Sequence, residues 1–361
     1  MRPFCWAVTA PLPSEPRVLA GKYALGRVLG AGGAGIVFEA ENLLVGRRVA
    51  VKVLRAELAA DPEQRSAFLA EARATARVDH PGVVEVLDLG LDRGGAPFIV
   101  MELLEGETLR DIVAARGPVP APYACELLAQ ILAAVAAAHR AGIIHCDLKP
   151  SNVLVTHPAP DRPLVKVLDF GIAEGLVEHQ WLGRTGTPLY RAPEQAQGIP
   201  PDQRTDVYSA AAILYELLSG TPPFTGESEA EILSAQLNGR LAPMNQLPSS
   251  LAGAIRAALS PDPNARPASA EELFERVAAH ADPKRVASLN PASLRSRAPI
   301  PLVARRAVAA IPPAPPMPAL ESLGEPDESW RPEPTRSWAA TGLALVSGFS
   351  LGAALCWWLM F

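Results

Sequence analysis

Between residues 23 and 98, short strand-like runs in which hydrophobic and polar positions alternate follow one another along the chain. Residues 36 to 38 and residues 49 to 53 form two of these runs, with a turn between them. Such alternation is typical of half-buried β-strands. Residues 62 to 78 break the pattern, because their apolar positions recur at helical spacing, and Asp61 is placed to cap that helix. The pattern therefore predicts a β-rich region that contains one helix.

Longer blocks with helical spacing replace the strand-like runs after Leu104. These blocks cover residues 121 to 141, 204 to 219 and 268 to 280. A β-rich region followed by a mainly helical one predicts the α+β fold class. A chain of 361 residues also exceeds what one hydrophobic core usually organises, so we expect two packed parts.

The two ends of the chain differ in composition from its middle. Residues 1 to 22 contain several prolines and no apolar periodicity, which favours a flexible leader. Prolines also recur without periodicity from residue 281 to residue 337. We therefore expect an extended linker in that stretch.

The final segment, residues 338 to 361, carries no charge. At about 1.5 Å per residue, a helix of this length crosses a hydrocarbon layer of about 30 Å, so we predict one transmembrane helix in a lipid bilayer. Arg331 and Arg336 precede it and favour a cytoplasmic location for the main body. A buried core helix is the alternative, but the segment is apolar on all sides. Gly348 and Gly352 form a GxxxG spacing that permits a homodimer.

The net charge and the cysteines exclude several functions. A formal net charge of -5 gives no broad basic surface, so we expect no nucleic-acid partner. The 4 cysteines are widely spaced and form no CxxC pair, which argues against a disulfide framework and a zinc site.

A glycine-rich pattern, GxGxxGxV, ends at Val37. Glycines let backbone N–H groups approach phosphate oxygens closely. A Walker A loop would need a lysine after the last glycine and a dinucleotide-binding loop would need a helix there, whereas Ile36 opens a strand. We therefore expect a hairpin that covers a nucleotide. Its expected nucleotide-binding residues are Gly30, Ala31, Gly32, Gly33 and Gly35.

Lys52 lies near the end of an apolar run that predicts a buried strand. A buried ammonium group is costly unless it meets anions. Glu71, on the predicted helix, can supply one anion, and nucleotide α- and β-phosphates can supply the others. An exposed helix glutamate is the alternative for Glu71, and the position of Lys52 favours the ion pair.

The sequence HCDLKPSN at residues 145 to 152 places a carboxylate, an ammonium and an amide close together. Phosphoryl transfer has a use for each of them. Asp147 would orient an attacking hydroxyl and accept its proton, Lys149 would offset γ-phosphate charge, and Asn152 would hold Mg²⁺. Asp169 opens a DFG sequence after an apolar strand and is the second expected Mg²⁺ ligand. The ordered set of motifs is far more specific than any single one.

Together these motifs resemble those of the eukaryotic-type protein kinase family, especially the membrane-anchored Ser/Thr kinases of bacteria, over about residues 23 to 280. The resemblance implies a bilobal fold with an N-lobe at residues 23 to 103 and a C-lobe at residues 104 to 280. It implies ATP in the cleft between the lobes, with Mg²⁺ or, in its place, Mn²⁺. It also implies transfer of the γ-phosphoryl group to Ser or Thr hydroxyls of protein substrates.

The resemblance also assigns roles to single residues. Met101 falls at the gatekeeper position, and backbone groups of Glu102 and Leu104 are expected to face adenine. Lys149 and Thr187 match the Ser/Thr version of the pattern. The residues expected to enclose the base are Leu29, Val37, Ala50 and Leu154.

Three further positions bear on structure and regulation. Asp206 resembles the aspartate that hydrogen-bonds the catalytic-loop backbone, and Glu194 with Arg266 resembles the buried ion pair at the end of the activation segment. Cys146 departs from the pattern, since many regulated kinases have there an arginine that pairs with a phosphorylated loop. We therefore expect weak or absent switching by loop phosphorylation. For Cys146 itself, a packing role is favoured over a reactive thiol.

Three functions stay open at this point: an active kinase, a nucleotide-binding pseudokinase scaffold, and a membrane adaptor whose proline-rich tail recruits partners. A scaffold would be free to lose its catalytic residues. The full set of five is present, which favours the active kinase: Lys52, Glu71, Asp147, Asn152 and Asp169.

Overall fold

A computed structural model describes residues 17 to 159, 162 to 170 and 188 to 286, together with Leu289. The expected transmembrane helix with its glycine pair, Thr187, and most of the expected leader and linker lie outside these residues. The described residues form a β-rich N-terminal region followed by a helical C-terminal region. This arrangement confirms the predicted α+β class.

Six antiparallel strands form the main sheet, in the order β1-β2-β3-β4-β6-β5. They are β1 (Val18–Leu19), β2 (Tyr23–Ala31), β3 (Gly35–Asn42), β4 (Arg47–Leu54), β5 (Val86–Leu91) and β6 (Pro97–Glu102). Val51 and Val53 of β4 pack in one core with Phe98 and Val100 of β6. Because successive side chains of a strand alternate between its faces, Lys52 points to the opposite face.

The strand β1 lies within the range that the sequence assigns to the leader. Leu19 of β1 is buried in the core of the sheet. The Tyr23 hydroxyl donates to the Asp88 carboxylate of β5 at 2.6 Å, and Lys22 Nζ lies 2.7 Å from the same oxygen. These contacts join the start of β2 to β5 at the opposite side of the sheet, which therefore curls on itself.

Two helices belong to the β-rich region, α1 (Ala56–Ala59) and α2 (Pro62–Thr75). Asp61 caps α2 as predicted, since its side chain accepts a hydrogen bond from the backbone N–H of Glu63. Phe68 and Ala72 of α2 are buried in one cluster with Ile99 of the sheet. This packing holds α2 against β6.

The described part of the C-terminal region contains eight further α-helices. They are α3 (Leu109–Arg116), α4 (Ala121–Arg140), α5 (Pro193–Ala196), α6 (Gln203–Ser219), α7 (Glu229–Asn238), α8 (Ser249–Ala258), α9 (Ala270–Ala278) and α10 (Pro283–Val286). The three predicted helical blocks correspond to α4, α6 and α9. Among the described helices, α4 alone is long and apolar enough to cross a membrane, but most of it is buried inside the protein. It is the central helix of the core.

A small antiparallel sheet belongs to the C-terminal region, and the polar motifs adjoin its strands. It consists of β7 (Gly106–Thr108), β8 (Val153–Ala159) and β9 (Arg162–Val167), in that order. Val83, which precedes β5, forms a parallel bridge with Val167 of β9. This bridge joins the β-rich region to the segment that ends in Asp169.

Candidate active site

Lys52 lies in the middle of the main sheet, on the face opposite the valine core. It pairs with Val37 of β3 and with Ile99 of β6, and its side chain is only 8% exposed. Its Nζ lies 3.0 Å from Glu71 Oε1 and 2.8 Å from Asp169 Oδ1. The expected ion pair between Lys52 and Glu71 is therefore present. The sequence alone does not predict the contact with Asp169.

Two opposing effects act on the pKa of Lys52. Burial favours the neutral amine and lowers the pKa, whereas the carboxylates of Asp169 and Glu71 favour the ammonium and raise it. The carboxylates prevail, and the pKa of Lys52 lies above its ordinary value. Burial raises the pKa of Glu71, and the charge of Lys52 partly opposes this. Lys52 is thus a fixed positive charge beside two acids.

The loop at residues 145 to 152 brings its three polar side chains into one hydrogen-bonded group. Lys149 Nζ lies 2.7 Å from Asp147 Oδ2, and Asn152 Nδ2 donates to the backbone carbonyl of Asp147 at 2.9 Å. The other carboxylate oxygen, Asp147 Oδ1, is buried and has no hydrogen-bond partner among the described residues. A buried acceptor without a donor is costly. This oxygen is therefore available to accept a further hydrogen bond.

Asn152 and Asp169 lie at the same end of the β8–β9 hairpin. Val153 pairs with Val167 across the hairpin, and the backbone N–H of Leu168 donates to the Asn152 carbonyl at 2.8 Å. Amide and carboxylate oxygens are ligands that Mg²⁺ prefers, alongside water and phosphate oxygens. In the described ranges of the chain, no three or more His, Cys, Asp or Glu side chains form a metal-binding group. A metal at this pair would therefore need further ligands from a nucleotide and from water.

Asp206, near the start of α6, fixes the backbone of the same loop. Its carboxylate has no solvent exposure and accepts hydrogen bonds from the backbone N–H groups of His145 at 2.8 Å and Cys146 at 2.9 Å. His139 Nε2 lies 2.8 Å from the same carboxylate. Cys146 has a φ of 62°, a left-handed conformation that is costly for a residue with a side chain. The expected contact of Asp206 with the loop is present and supports this turn.

The sequence gives no signal for the contribution of His139, which lies 67 residues from Asp206. It likewise gives none for Gln195, whose side chain donates to the Cys146 carbonyl at 2.8 Å. Both residues hold the loop only because the fold brings distant segments together. A local pattern of residue types could not have found them.

His145 anchors Asp169 and Phe170, the first two residues of the DFG sequence, to the loop. The His145 ring lies 4.6 Å from the ring of Phe170, which is fully buried. His145 Nε2 also lies 3.0 Å from the Leu168 carbonyl. Asp169, which lies between Leu168 and Phe170, has a φ of 47°. The anchored neighbours hold it in this left-handed conformation, with its carboxylate at Lys52.

The glycine-rich segment forms the turn between β2 and β3. The backbone N–H of Gly32 donates to the Gly35 carbonyl at 2.9 Å. A Cβ at Gly35 would lie 2.6 Å from the Val53 carbonyl oxygen, so a larger residue there would push β3 away from β4. A Cβ at Gly30, Gly32 or Gly33 would meet no atom within 4 Å. The open space beside these three glycines leaves room for a ligand.

The residues expected to enclose adenine come from both regions. On β4, Ala50 pairs with Met101, and Lys52 pairs with Val37. Paired residues of neighbouring strands point to the same face, as do residues two positions apart on one strand. All four side chains therefore share one face of the sheet. Leu154 lies on β8 in the C-terminal region. The structure places Leu29 and Ala31 on β2, and Leu29 is 39% exposed. Leu104 follows β6 and is half-buried.

Glu102 ends β6 and is engaged in contacts that the sequence does not predict. Its backbone N–H donates to the Glu85 carbonyl at 3.0 Å. Its carboxylate accepts the Glu85 N–H at 2.9 Å and lies 2.6 Å from Lys166 Nζ of β9. These contacts link the end of β6 to the strand that leads to Asp169.

The expected ion pair of Glu194 with Arg266 is present. Arg266 Nη1 and Nη2 lie 2.7 Å and 2.8 Å from the two carboxylate oxygens, and both side chains are buried. The Thr205 hydroxyl also donates to Glu194 at 2.9 Å. These bonds fix α5 to α6 and to the turn before α9. The chain therefore has a fixed position just after Thr187, which itself lies outside the described residues.

A β-rich region and a helical region that meet at a lysine, two acids and a loop with an unpaired carboxylate oxygen define a protein kinase. The chain matches the protein kinase domain family over residues 23 to 278, which is more than half of its length. This chain belongs to that family.

Comparison with curated proteins finds bacterial relatives. A probable serine/threonine-protein kinase of Corynebacterium efficiens is 45% identical over 219 residues, which cover 58% of this chain and 33% of that protein. The serine/threonine-protein kinase PknB of Mycobacterium leprae is 42% identical over 226 residues, covering 61% and 36% respectively. PknB of Mycobacterium tuberculosis is 43% identical over 227 residues, again covering 61% and 36%. The chain thus spans about a third of the length of these curated relatives.

Proposed function

We propose that this protein is an ATP-dependent Ser/Thr protein kinase that transfers the γ-phosphoryl group of MgATP to Ser or Thr hydroxyls of other proteins. The observation that carries the proposal is the position of Lys52. Its ammonium lies between Glu71 and Asp169, and Asp169 is 117 positions away in the sequence. A positive charge held beside a metal-ligating pair is what the binding of a nucleoside triphosphate requires.

Each polar side chain has a separate task in the proposed reaction. Lys52 binds the α- and β-phosphates, and Asn152 and Asp169 hold Mg²⁺, or Mn²⁺ in its place. The metal, when bound, neutralises charge on the phosphate oxygens. Asp147 Oδ1 accepts the hydrogen of the substrate hydroxyl and aims its oxygen at the γ-phosphorus. Lys149, at 2.7 Å from Asp147 Oδ2, offsets charge on the transferred group.

The proposed step exchanges one bond to phosphorus for another. The substrate oxygen forms a bond to the γ-phosphorus while the bond from that phosphorus to the β–γ bridging oxygen breaks. The hydroxyl proton passes to Asp147, and ADP leaves with the bridging oxygen. The glycine turn between β2 and β3 covers the phosphates and excludes water from them.

A nucleotide pocket next to this group is part of the same proposal. The base would lie between the sheet face that carries Lys52 and the strand β8, with Met101 closing the back of the pocket. The residues proposed to enclose it are Leu29, Val37, Ala50, Met101, Glu102, Leu104 and Leu154. The shared face of Val37, Ala50 and Met101 supports this arrangement.

The choice of Ser and Thr over Tyr rests on two residues and on the relatives. Lys149 and Thr187 follow the Ser/Thr version of the family pattern. The relatives are named as serine/threonine-protein kinases. The protein substrates of this chain are proposed by class only.

A membrane location is a further proposal that rests on the sequence. We propose a leader at residues 1 to 22, a linker at 281 to 337 and a transmembrane helix at 338 to 361, with the kinase lobes at 23 to 103 and 104 to 280 in the cytoplasm. A homodimer through the GxxxG glycines is part of this proposal. The structure extends the folded part beyond the proposed lobes at both ends, through β1 and α10.

Phosphosite mapping tests the proposed function. The full-length protein in lipid nanodiscs is incubated with ATP, Mg²⁺ and a mixture of unrelated substrate proteins. We expect phosphate on Ser and Thr, and a loss of about 100-fold or more in Asp147→Asn. Asp79→Asn, which changes an exposed acid, is the matched control and keeps the wild-type rate. Binding of ATP without any phosphate transfer would favour the pseudokinase scaffold instead.

A further inference from the structure

The chain does not leave the domain where the family match ends at residue 278. Residues 281 to 286 and Leu289, called the strap below, continue along the C-terminal region. Ala281 and Val286 are each 7% exposed and belong to its main core cluster, against which Leu289 also packs. The strap thus buries apolar side chains, although the sequence assigns it to an extended linker.

One ion pair joins the strap to α4. Arg285 Nη1 lies 3.3 Å and 3.2 Å from the two carboxylate oxygens of Glu126. The Glu126 side chain is only 7% exposed, and its neighbours on α4, Cys125 and Leu127, are fully buried. Burial raises the pKa of Glu126, and Arg285 opposes this. Within the described residues Arg285 is the ion-pair partner of Glu126, so its removal would leave a nearly buried carboxylate without a cation.

The same face of α4 also holds β9. Gln130 lies one helical turn after Glu126, so the two side chains are neighbours on the helix surface. Gln130 Oε1 accepts the backbone N–H of Val165 at 2.9 Å, and its Nε2 donates to the Pro163 carbonyl at 3.0 Å. Both partners belong to β9, which leads to Asp169. The helix α4 therefore connects the strap to the strand that positions a proposed metal ligand.

We propose that α4 carries a docking surface, centred on Glu126, whose partner is this chain's own strap. Docking holds the first half of α4 against β9, because Glu126 and Gln130 are adjacent on one helix face. The strap is then a part of the kinase domain that stabilises the packing of α4 on β9. A protein or a force that displaced it would loosen β9. This inference does not depend on the phosphotransfer proposed above, since it concerns only the packing of α4.

Hydrogen–deuterium exchange of the full-length protein tests the inference, with Arg285→Ala compared with the wild type. We expect amide exchange to rise by about tenfold or more in the first half of α4 and in β9. Exchange in α6 stays unchanged. Arg285→Lys, which keeps a charge but not the paired contact, gives a smaller rise. Arg276→Ala is the control, since it removes an exposed ion pair on α9 and leaves all of these segments unchanged.

Two outcomes would overturn the inference. Unchanged exchange in α4 and β9 would show that the strap does not hold them, and an equal rise in α6 would show a general loss of stability. If Arg285→Ala does not fold, Glu126→Gln takes its place, because it removes the charge and keeps the side-chain shape. We expect that variant to raise exchange in α10, and unchanged exchange there would also contradict the docking.

Discussion

Asp206 illustrates how a single residue links the stability of the fold to the conformation of the loop at residues 145 to 152. Burial raises its pKa, but hydrogen bonds and charge from His139 and from the His145 segment lower it, and the pKa lies below its ordinary value. The ionised carboxylate therefore binds its donors only in the folded protein. Two of those donors are backbone groups of the loop that contains Asp147. The interaction that stabilises the fold also shapes the loop.

The variant Asp206→Asn tests this with a defined pH dependence. A depressed folded-state pKa gives stability that is complete above the unfolded-state value of about 3.9 and is lost as pH falls through the lower folded-state value. We therefore expect the wild type to exceed Asp206→Asn in free energy of unfolding by a constant amount near neutral pH. This difference shrinks below about pH 4. Urea unfolding at several pH values measures it, and a difference that persists unchanged to pH 3 would contradict the assignment.

The thiol of Cys146 is expected to be unreactive in the folded protein. Burial, reinforced by the nearby carboxylates of Asp206 and Asp147, raises the pKa of its thiol, and the residue is only 2% exposed. Since the thiolate is the reactive form, we expect iodoacetamide to leave Cys146 unmodified in the folded protein and to modify it in urea. Burial raises the pKa of Cys125 to about 12, so it serves as an internal reference. Peptide mass spectrometry measures the modification of both cysteines. Rapid labelling of Cys146 in the folded protein would support the alternative of a reactive thiol.

At the scale of helices and strands, the Glu194–Arg266 pair connects elements that lie 72 positions apart. Arg266 also donates from Nε to the Ser260 carbonyl at 2.8 Å, and its guanidinium lies 4.8 Å from the centre of the Tyr208 ring. One side chain thus ties α5, α6 and the segment after α8 together. Its loss would leave the buried Glu194 carboxylate without a cation, with the Thr205 hydroxyl still donating to it.

We expect Arg266→Ala to lower the free energy of unfolding by about 3–5 kcal/mol, because breaking a buried ion pair strands a charge. The control Arg276→Ala breaks an exposed pair with Glu272 on α9 and costs no more than about 0.5 kcal/mol. Chemical denaturation of both variants gives the comparison. Equal effects of the two substitutions would show that the buried pair has no special weight.

Local patterns predict elements where periodicity is strong, and they fail where packing partners are distant. The helix predicted at residues 62 to 78 is α2, which ends three residues earlier, at Thr75. The two-residue strand β1 is too short to show any alternation, and it is identified only by its pairing with β2. The strap has four helical residues, and its contact with Glu126 spans 159 positions. No window of neighbouring residues contains that information.

The same limit applies to the site as a whole. The motifs identify the five polar residues and predict the contact of Lys52 with Glu71. They do not predict the contact of Lys52 with Asp169, or the support that His139 and Gln130 give from α4. The roles of residues around adenine come from family resemblance, and the structure contributes their placement on one face of the sheet.

At the scale of the whole molecule, the candidate site exists only where the two regions meet. Lys52 and Glu71 come from the β-rich region, whereas Asp147, Asn152 and Asp169 come from the C-terminal region. The 2.8 Å contact from Lys52 to Asp169 crosses between them. In the proposed reaction, both regions therefore bind one MgATP, and Asp147 directs the phosphoryl transfer.

Parallel measurement of MgATP binding and phosphate transfer by the full-length protein separates the role of Asp147 from nucleotide binding. We expect Asp147→Asn to bind MgATP within about threefold of the wild type and to transfer phosphate about 100-fold more slowly or worse, because Asp147 acts on the substrate hydroxyl. Asp169→Asn should lose the Mg²⁺ dependence of binding. Transfer at the wild-type rate by Asp147→Asn would contradict the account.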